Sequence, residues 1–201
     1  METCLKLNIK YHPGHLIGRG HFSNVYEANA NGEYIMKIVS FTEDEDVEFE
    51  YIPEEEFDHM VAMQNKISTL GLTVPVIDSW KCDTSHGVIV MKRLHQPLST
   101  LLPSIKKCED RVSLLRSVYM LFDELRKANL THGDLKLANI MLDSMKYHQS
   151  AIPVTFDDTY GYLYLIDFQF SYPMSDQRYH EYKELDSEAI YQITKVILGI
   201  A

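Results

Sequence analysis

The sequence predicts an α+β fold in two parts, a strand-rich region over residues 1–94 and a mainly helical region over residues 95–201. Two observations carry this. Up to about residue 91 the apolar residues fall in short runs bounded by turn signals, around one helical segment. Beyond it Leu114, Val118, Leu121, Phe122 and Leu125 recur every three or four residues, on one face of an amphipathic helix. Strands followed by helices are the pattern of an α+β chain. With 201 residues, 45% of them hydrophobic, it can build one substantial core or two small lobes.

Each element follows from local chemistry. Ile17 to Tyr26 contains Gly18 and Gly20, then Ser23 and Val25. Such glycines admit positive φ or close backbone approach to a ligand, although a lone Gly-x-Gly equally describes a hairpin turn. Asn29-Ala30-Asn31-Gly32 reads as a hairpin turn, because Asn-Gly tolerates positive φ. Glu33 to Val39 is the returning strand and places Lys37 between Ile35, Met36, Ile38 and Val39. Glu54, Glu55 and Glu56 open a helix that runs to about Leu70, and acids there complement the helix dipole. Val74 to Trp80 and His86 to Met91 form a strand pair with a turn at Asp83 to Ser85. Ile140-Met141-Leu142 is a short strand, residues 143–158 read as a loop insertion, and Tyr162 to Ile166 returns as a strand. The last helix is expected from about Ser187 to Ile200, capped by Asp186 or Ser187.

Charge and composition narrow the function. The net charge of −10 gives nucleic-acid binding little electrostatic support. No run approaches the roughly 20 apolar residues of a membrane span, and no secretory pattern opens the chain. Cys4, Cys82 and Cys108 are odd in number and far apart, which predicts free thiols in a reducing, intracellular compartment such as the cytoplasm. The nine histidines show no zinc-ligand spacing. The acidic run from Glu43 to Glu50 is ordinarily a solvated loop. It also has the charge to steer a basic protein substrate.

The chemistry concentrates in Thr131-His132-Gly133-Asp134-Leu135-Lys136-Leu137-Ala138-Asn139, with Ile166-Asp167-Phe168 downstream. An Asp and an Asn alone are ordinary loop residues. As a set they resemble the catalytic loop and metal-binding segment of the protein kinase superfamily, whose phosphoryl transfer needs a group that orients the acceptor hydroxyl and oxygen ligands for the metal that neutralises the phosphates. Asp134 suits the first role. Asn139 and Asp167 suit the second, because Mg²⁺ prefers hard oxygen ligands.

These strings resemble the protein kinase superfamily over about residues 16 to 170. The first is similar to H-R-D-L-K-x-x-N with Gly133 in place of Arg. The second is similar to D-F-G with Gln169 in place of Gly. Gly18, Gly20 and Val25 are similar to the G-x-G-x-x-G-x-V loop with Ser23 at the third glycine, and Lys37 stands where the V-A-I-K lysine stands. The resemblance implies a bilobal kinase-like fold with a truncated, mainly helical C-terminal lobe. It also implies ATP and Mg²⁺ as cofactors. Asp134, Lys136 and Lys37 would be catalytic, and Asn139 and Asp167 would hold metal. ATP would be bound by Ile17, Gly18, Gly20, Val25 and Lys37, with Met91 at the back of the pocket and Lys92 to Leu94 as the hinge. For the helix Glu that pairs with Lys37, the register puts Met60 at the usual position and Glu56 one turn earlier on the same face. Glu56 is the choice, beside the plain reading that all three acids serve the helix N-terminus. Asp186, by the same resemblance, would brace the catalytic loop if it does not cap the last helix.

No A-P-E segment follows Asp167, so the chain looks like a compact kinase, similar in plan to the RIO-type and related atypical kinases or to stripped-down kinases of large DNA viruses. Lys136 separates the chain from the aminoglycoside and choline phosphotransferases that share His-Gly-Asp. The activity implied is Ser/Thr phosphorylation of a folded protein, or autophosphorylation. A kinase-like pseudokinase scaffold and a small-molecule phosphotransferase are the alternatives. Oligomeric state is left open.

Overall fold

A computed structural model of the chain describes residues 10–20, 22–29, 32–42, 51–82, 84–156 and 159–200. The acidic run Glu43 to Glu50, Cys4, and the turn residues Ala30, Asn31 and Asp83 lie outside the described residues. Among the described residues the architecture is α+β, with two antiparallel sheets and four α-helices. The chain divides into two compact units, residues 1–62 with 75–93, and residues 63–74 with 94–201.

The first unit contains β1 (Leu16–Arg19), β2 (Ser23–Glu27), β3 (Tyr34–Ser40), the start of α1 (Glu54–Ser68), β4 (Val76–Cys82) and β5 (His86–Lys92). The strands form one sheet in the order β1-β2-β3-β5-β4. The β2–β3 turn has the chemistry its sequence predicts: Gly32 takes φ 64° and its N–H donates to the Asn29 carbonyl at 3.1 Å. One face of this sheet buries Met36, Ile38, Val88 and Val90 against Tyr11, Ala28 and Cys82. On the other face Gly87 leaves room for the rings of Phe41 and Phe57, which meet edge to face at 5.6 Å. Phe57 thereby seats the first turns of α1 on the sheet. Lys81 adds ion pairs to Glu54 at 3.2 Å and Asp58 at 2.9 Å on the exposed side.

Cys82 is buried and disulfide-bonded, and Cys108 is a free, exposed thiol. The expectation of three free thiols therefore fails at Cys82, and the compartment inference loses that support. No helix among the described residues is long and apolar enough to cross a membrane.

The second unit holds β6 (Gln96–Pro97), α2 (Leu98–Leu101), α3 (Cys108–Lys127), β7 (Ile140–Asp143), β8 (Ile152–Phe156), β9 (Thr159–Leu165) and α4 (Tyr179–Leu198), with short 3₁₀ turns at Leu102–Ser104 and Leu137–Asn139. The predicted apolar face of α3 is the buried one: Leu114, Val118, Leu121, Phe122 and Leu125 join Ile140, Leu163, Leu165 and Ile193 in a single core.

This unit is not helical alone. Its four strands form a sheet in the order β6-β7-β9-β8. The expected 143–158 loop is in part the strand β8, in which Ile152, Val154 and Phe156 point to the core and Pro153 and Thr155 outward. Pro153 argues against a strand in sequence, but β8 lies at the sheet edge, where the missing N–H costs nothing. Its outer carbonyls are covered: Ser113 and Ser117 of α3 donate to the carbonyls of Thr155 and Pro153 at 2.9 and 2.8 Å. The last helix begins at Tyr179, two turns before the predicted start at Ser187, and ends at Gly199 with φ 68°.

Candidate functional site

In the first unit the strand register aligns the residues expected to meet nucleotide. Gly18 pairs with Val25, Val25 with Lys37, and Lys37 with Ile89, so these residues lie in one row across four strands. Paired residues of an antiparallel sheet project from the same face. Ile35 pairs with Met91, which places Met91 on the face of Lys37, one step along the strand. Ile17 lies in β1 with 40% of its surface exposed, although it is large and apolar.

Gly18 and Gly20 differ from the other glycines in one informative respect. A Cβ on Gly18 would meet Val25 at 3.7 Å, and one on Gly20 would meet Ser23 Oγ at 3.5 Å, both ordinary contacts, and neither residue has positive φ. The chain's own packing does not require glycine at either place. Among the described residues, the Gly20 N–H donates to the Ser23 carbonyl at 2.8 Å across the β1–β2 turn. Bare backbone there suits a ligand that must come close.

Other expectations in this unit meet committed side chains. Lys92 is ion-paired with Glu33 and lies over the Tyr34 ring at 4.4 Å, and the Arg93 N–H donates to the Glu33 carbonyl at 3.0 Å. Leu94 is buried and belongs to the second unit. Glu56 is half-buried, one turn before the buried Met60, whereas Glu54 holds Lys81 and Glu55 is exposed.

In the second unit three predicted residues meet at one carboxylate. Lys136 Nζ donates to Asp134 Oδ2 at 2.7 Å. Asn139 Nδ2 donates to the same oxygen at 3.0 Å and to the Asp134 carbonyl at 2.8 Å. Those bonds use only the amide nitrogen of Asn139 and leave its Oδ1 to ligate. The Ile166 N–H donates to the Asn139 carbonyl at 3.0 Å, which fixes Asp167 one residue away. Asp167 has φ 73°, a left-handed conformation that Asp tolerates better than most residues. Among the described residues no group of three or more His, Cys, Asp or Glu side chains gathers as for a metal. Asn139 and Asp167 fit a cation that takes its other ligands from phosphate and water, as Mg²⁺ commonly does.

The loop carrying Asp134 is held from below. Asp186 lies inside α4, on its buried side, and its two oxygens accept the backbone N–H groups of His132 at 2.7 Å and Gly133 at 2.8 Å. The capping reading of Asp186 is therefore overturned, and the bracing alternative is what the structure has. Burial raises the Asp186 carboxyl above its ordinary range, and the two N–H donors work against that rise. The sequence held a signal for this role: Tyr179, Tyr182, Asp186, Ile190, Ile193 and Ile197 follow a helical period, so a carboxylate occupies a core position.

His132 is fully buried. Its Nε2 donates to the Ile166 carbonyl at 2.9 Å, and its Nδ1 accepts the Asp134 N–H at 3.3 Å. That pattern needs one ring proton, and burial lowers the imidazole pKa below its usual value, so the ring is neutral. Its ring packs on Phe168 at 5.3 Å.

Gly133 is demanded by the backbone. It takes φ 83°, and a Cβ would press into the Phe170 carbonyl and come to 2.8 Å from Tyr182. An Arg at this place would not fit the loop as it stands.

Residues 171–174 line up beside residues 129–132. The Thr131 N–H donates to the Tyr172 carbonyl at 3.0 Å, Tyr172 N–H donates to Thr131 Oγ1 at 3.0 Å, and Ser171 Oγ donates to the His132 carbonyl at 2.9 Å. Nothing in the sequence marked Ser171 or Tyr172, or the pairing of Tyr172 with Thr131, since it joins segments about 40 residues apart. Comparison of the chain with models of known protein families finds no match, and no curated protein matches it.

Proposed function

We propose that this chain is a compact, kinase-like phosphotransferase that transfers the γ-phosphoryl group of ATP to a Ser or Thr hydroxyl of a protein. The observation that carries the reading is the Asp134 carboxylate. It is held on one oxygen by Lys136 and Asn139, in a loop whose amides are anchored on Asp186. Oδ1 of Asp134 is left to accept the proton of an acceptor hydroxyl, and a fixed carboxylate orients that hydroxyl for in-line attack. Lys136 is partly exposed and reaches Asp134 through a flexible side chain, so it can move to the charge on a transferring phosphoryl group. Asn139 Oδ1 and the Asp167 carboxylate would hold Mg²⁺. When bound, Mg²⁺ neutralises phosphate charge and aligns the phosphate chain. Gly18, Gly20, Val25 and Lys37 are assigned to the phosphates of ATP, and Ile17 and Met91 to apolar contact with its base.

Retention of Lys37, Asp134, Asn139 and Asp167 favours an enzyme over a scaffold, because binding alone has no use for all four. Lys136 favours a protein acceptor over a small one.

The test is incubation of the purified protein with labelled ATP and Mg²⁺, alone and with histone, casein, choline or an aminoglycoside. Label on Ser or Thr of the chain or of the added protein supports the reading. Asp134→Asn should lower kcat by about 10²–10⁴-fold while ATP affinity changes little. Label on the small molecules alone would replace the protein-kinase assignment. Label on nothing, with ATP still raising the melting temperature, would leave a nucleotide-binding scaffold.

A further inference from the structure

The segment after Asp167 ends in a cluster that the phosphoryl-transfer chemistry does not use. The Arg178 guanidinium grips Asp176 as a fork, Nε to Oδ1 at 3.0 Å and Nη2 to Oδ2 at 3.1 Å. Its third nitrogen donates to the Tyr172 hydroxyl at 3.0 Å, and its carbon lies 3.9 Å from the centre of the Tyr172 ring. A planar cation already held by a carboxylate and stacked on an aromatic ring has little freedom left for a further bond to cost. Tyr172 is buried and packs at 5.0 Å on Tyr182 of α4, which stacks on Phe170 at 5.9 Å. The Tyr172 backbone makes the paired bonds to Thr131, and Phe170 and Tyr182 close over Gly133. The contacts that run from Arg178 through Tyr172 thus reach Thr131 and Gly133, both within three residues of Asp134.

We propose that Arg178 is a positioning residue for Asp134. It acts through Tyr172 as a strut for the 131–134 loop, and it assembles the segment after Asp167 without covalent modification. Arg178 immediately precedes α4 and Asp186 lies within it, so one helix supports the loop at two separate points. Asp186 holds the loop by its amides, and Arg178 holds the segment that pairs with it. The ion pair that orders the segment is built from the chain's own Asp176, so no added phosphate is needed to satisfy the guanidinium.

The strut itself does not depend on the phosphoryl-transfer reading, whereas the catalytic consequence rests on it. The experiment therefore has two arms on the full chain. In the first, hydrogen exchange is followed at the amides of Thr131, Tyr172 and Asp134, with Leu121 in the core of α3 as reference. Arg178→Ala should speed exchange at the loop amides by about tenfold or more relative to Leu121, because local opening no longer breaks the strut. Tyr172→Phe keeps the stacked ring and should give a smaller change. If Arg178→Ala does not fold, Asp176→Asn loosens the same fork and carries the same expectation. Loop amides that exchange as in wild type, or that change only in step with Leu121, overturn the strut.

In the second arm, transfer from labelled ATP to histone, casein or the chain itself is measured. Arg178→Ala should lower kcat by about tenfold to a hundredfold with the KM for ATP within about twofold, since a misplaced group costs rate rather than nucleotide affinity. A loosened loop with unchanged kcat overturns the positioning role. A wild-type chain that transfers nothing counts against the proposed function, and the first arm still decides the strut.

Discussion

Removal of the Asp186 carboxylate tests the architecture of the loop most directly. In Asp186→Ala the N–H groups of His132 and Gly133 lose acceptors at 2.7 and 2.8 Å, and His132 is fully buried. A buried donor left without a partner costs about 1–3 kcal/mol, so two cost about 2–6 kcal/mol. The raised carboxyl pKa shows that the folded protein disfavours the charged form at this place, and the alanine relieves that burden. The expected loss is therefore in the lower half, about 2–4 kcal/mol. Asp186→Asn retains one acceptor and turns an amide nitrogen toward the second N–H, so about 1–2 kcal/mol should be lost. Urea unfolding of wild type and both variants, read by circular dichroism, measures the order Ala worse than Asn. The proposed phosphoryl transfer, assayed well below each melting temperature, should fall in both. An alanine variant within about 0.5 kcal/mol of wild type would refute the reasoning, because such a change is that of an ordinary surface substitution.

Other expectations follow from glycines, a histidine and a sheet edge. Gly133→Ala should destabilise the protein by about 2 kcal/mol or more in the same urea assay, because it combines φ 83° with a Cβ pressed against Phe170. Gly18→Ala should change stability by less than about 1 kcal/mol, yet reduce any rise in melting temperature with ATP and Mg²⁺ that the proposed function requires. His132 has its imidazole pKa lowered in the folded state, so its contribution to stability is present above the ordinary pKa and is lost as pH falls through the folded one. Melting temperature should therefore drop on acidification below about pH 6.5, the unfolded-state value. His132→Gln should show the shallower decline, a comparison that cancels the opposite contribution of Asp186, whose raised pKa favours the fold toward low pH. Ser117→Ala uncovers the Pro153 carbonyl and should cost about 1 kcal/mol by thermal unfolding.

Elements that depend on local periodicity were legible in the sequence, and so was the clustering of Asp134, Lys136 and Asn139 within one short loop. The α3 face from Leu114 to Leu125 is written in its own spacing. So is the turn at Gly32, whose φ of 64° is the one its Asn-Gly sequence favours. Asp134, Lys136 and Asn139 lie within six residues, so their meeting at one carboxylate needs little more than a tight loop. Where local rules and tertiary placement disagree, the sequence reading went astray. Pro153 speaks against a strand everywhere except at an edge, and only the sheet order makes β8 an edge. Asp186 reads as a cap only if the last helix starts at Ser187, and it starts at Tyr179.

By itself, then, the sequence determined which segments can be helix or strand and which polar side chains share one short loop, since both depend on residues a few positions apart. Only the tertiary structure decided what holds that loop in place. The amides of His132 and Gly133 find Asp186 more than 50 residues away, and Thr131 finds Tyr172 about 40 residues on. Gly133 is glycine because the Phe170 carbonyl and the Tyr182 ring occupy the space of a side chain. Buried polar groups must be satisfied by whatever the fold brings near them, and no periodicity or spacing in one chain specifies that partner.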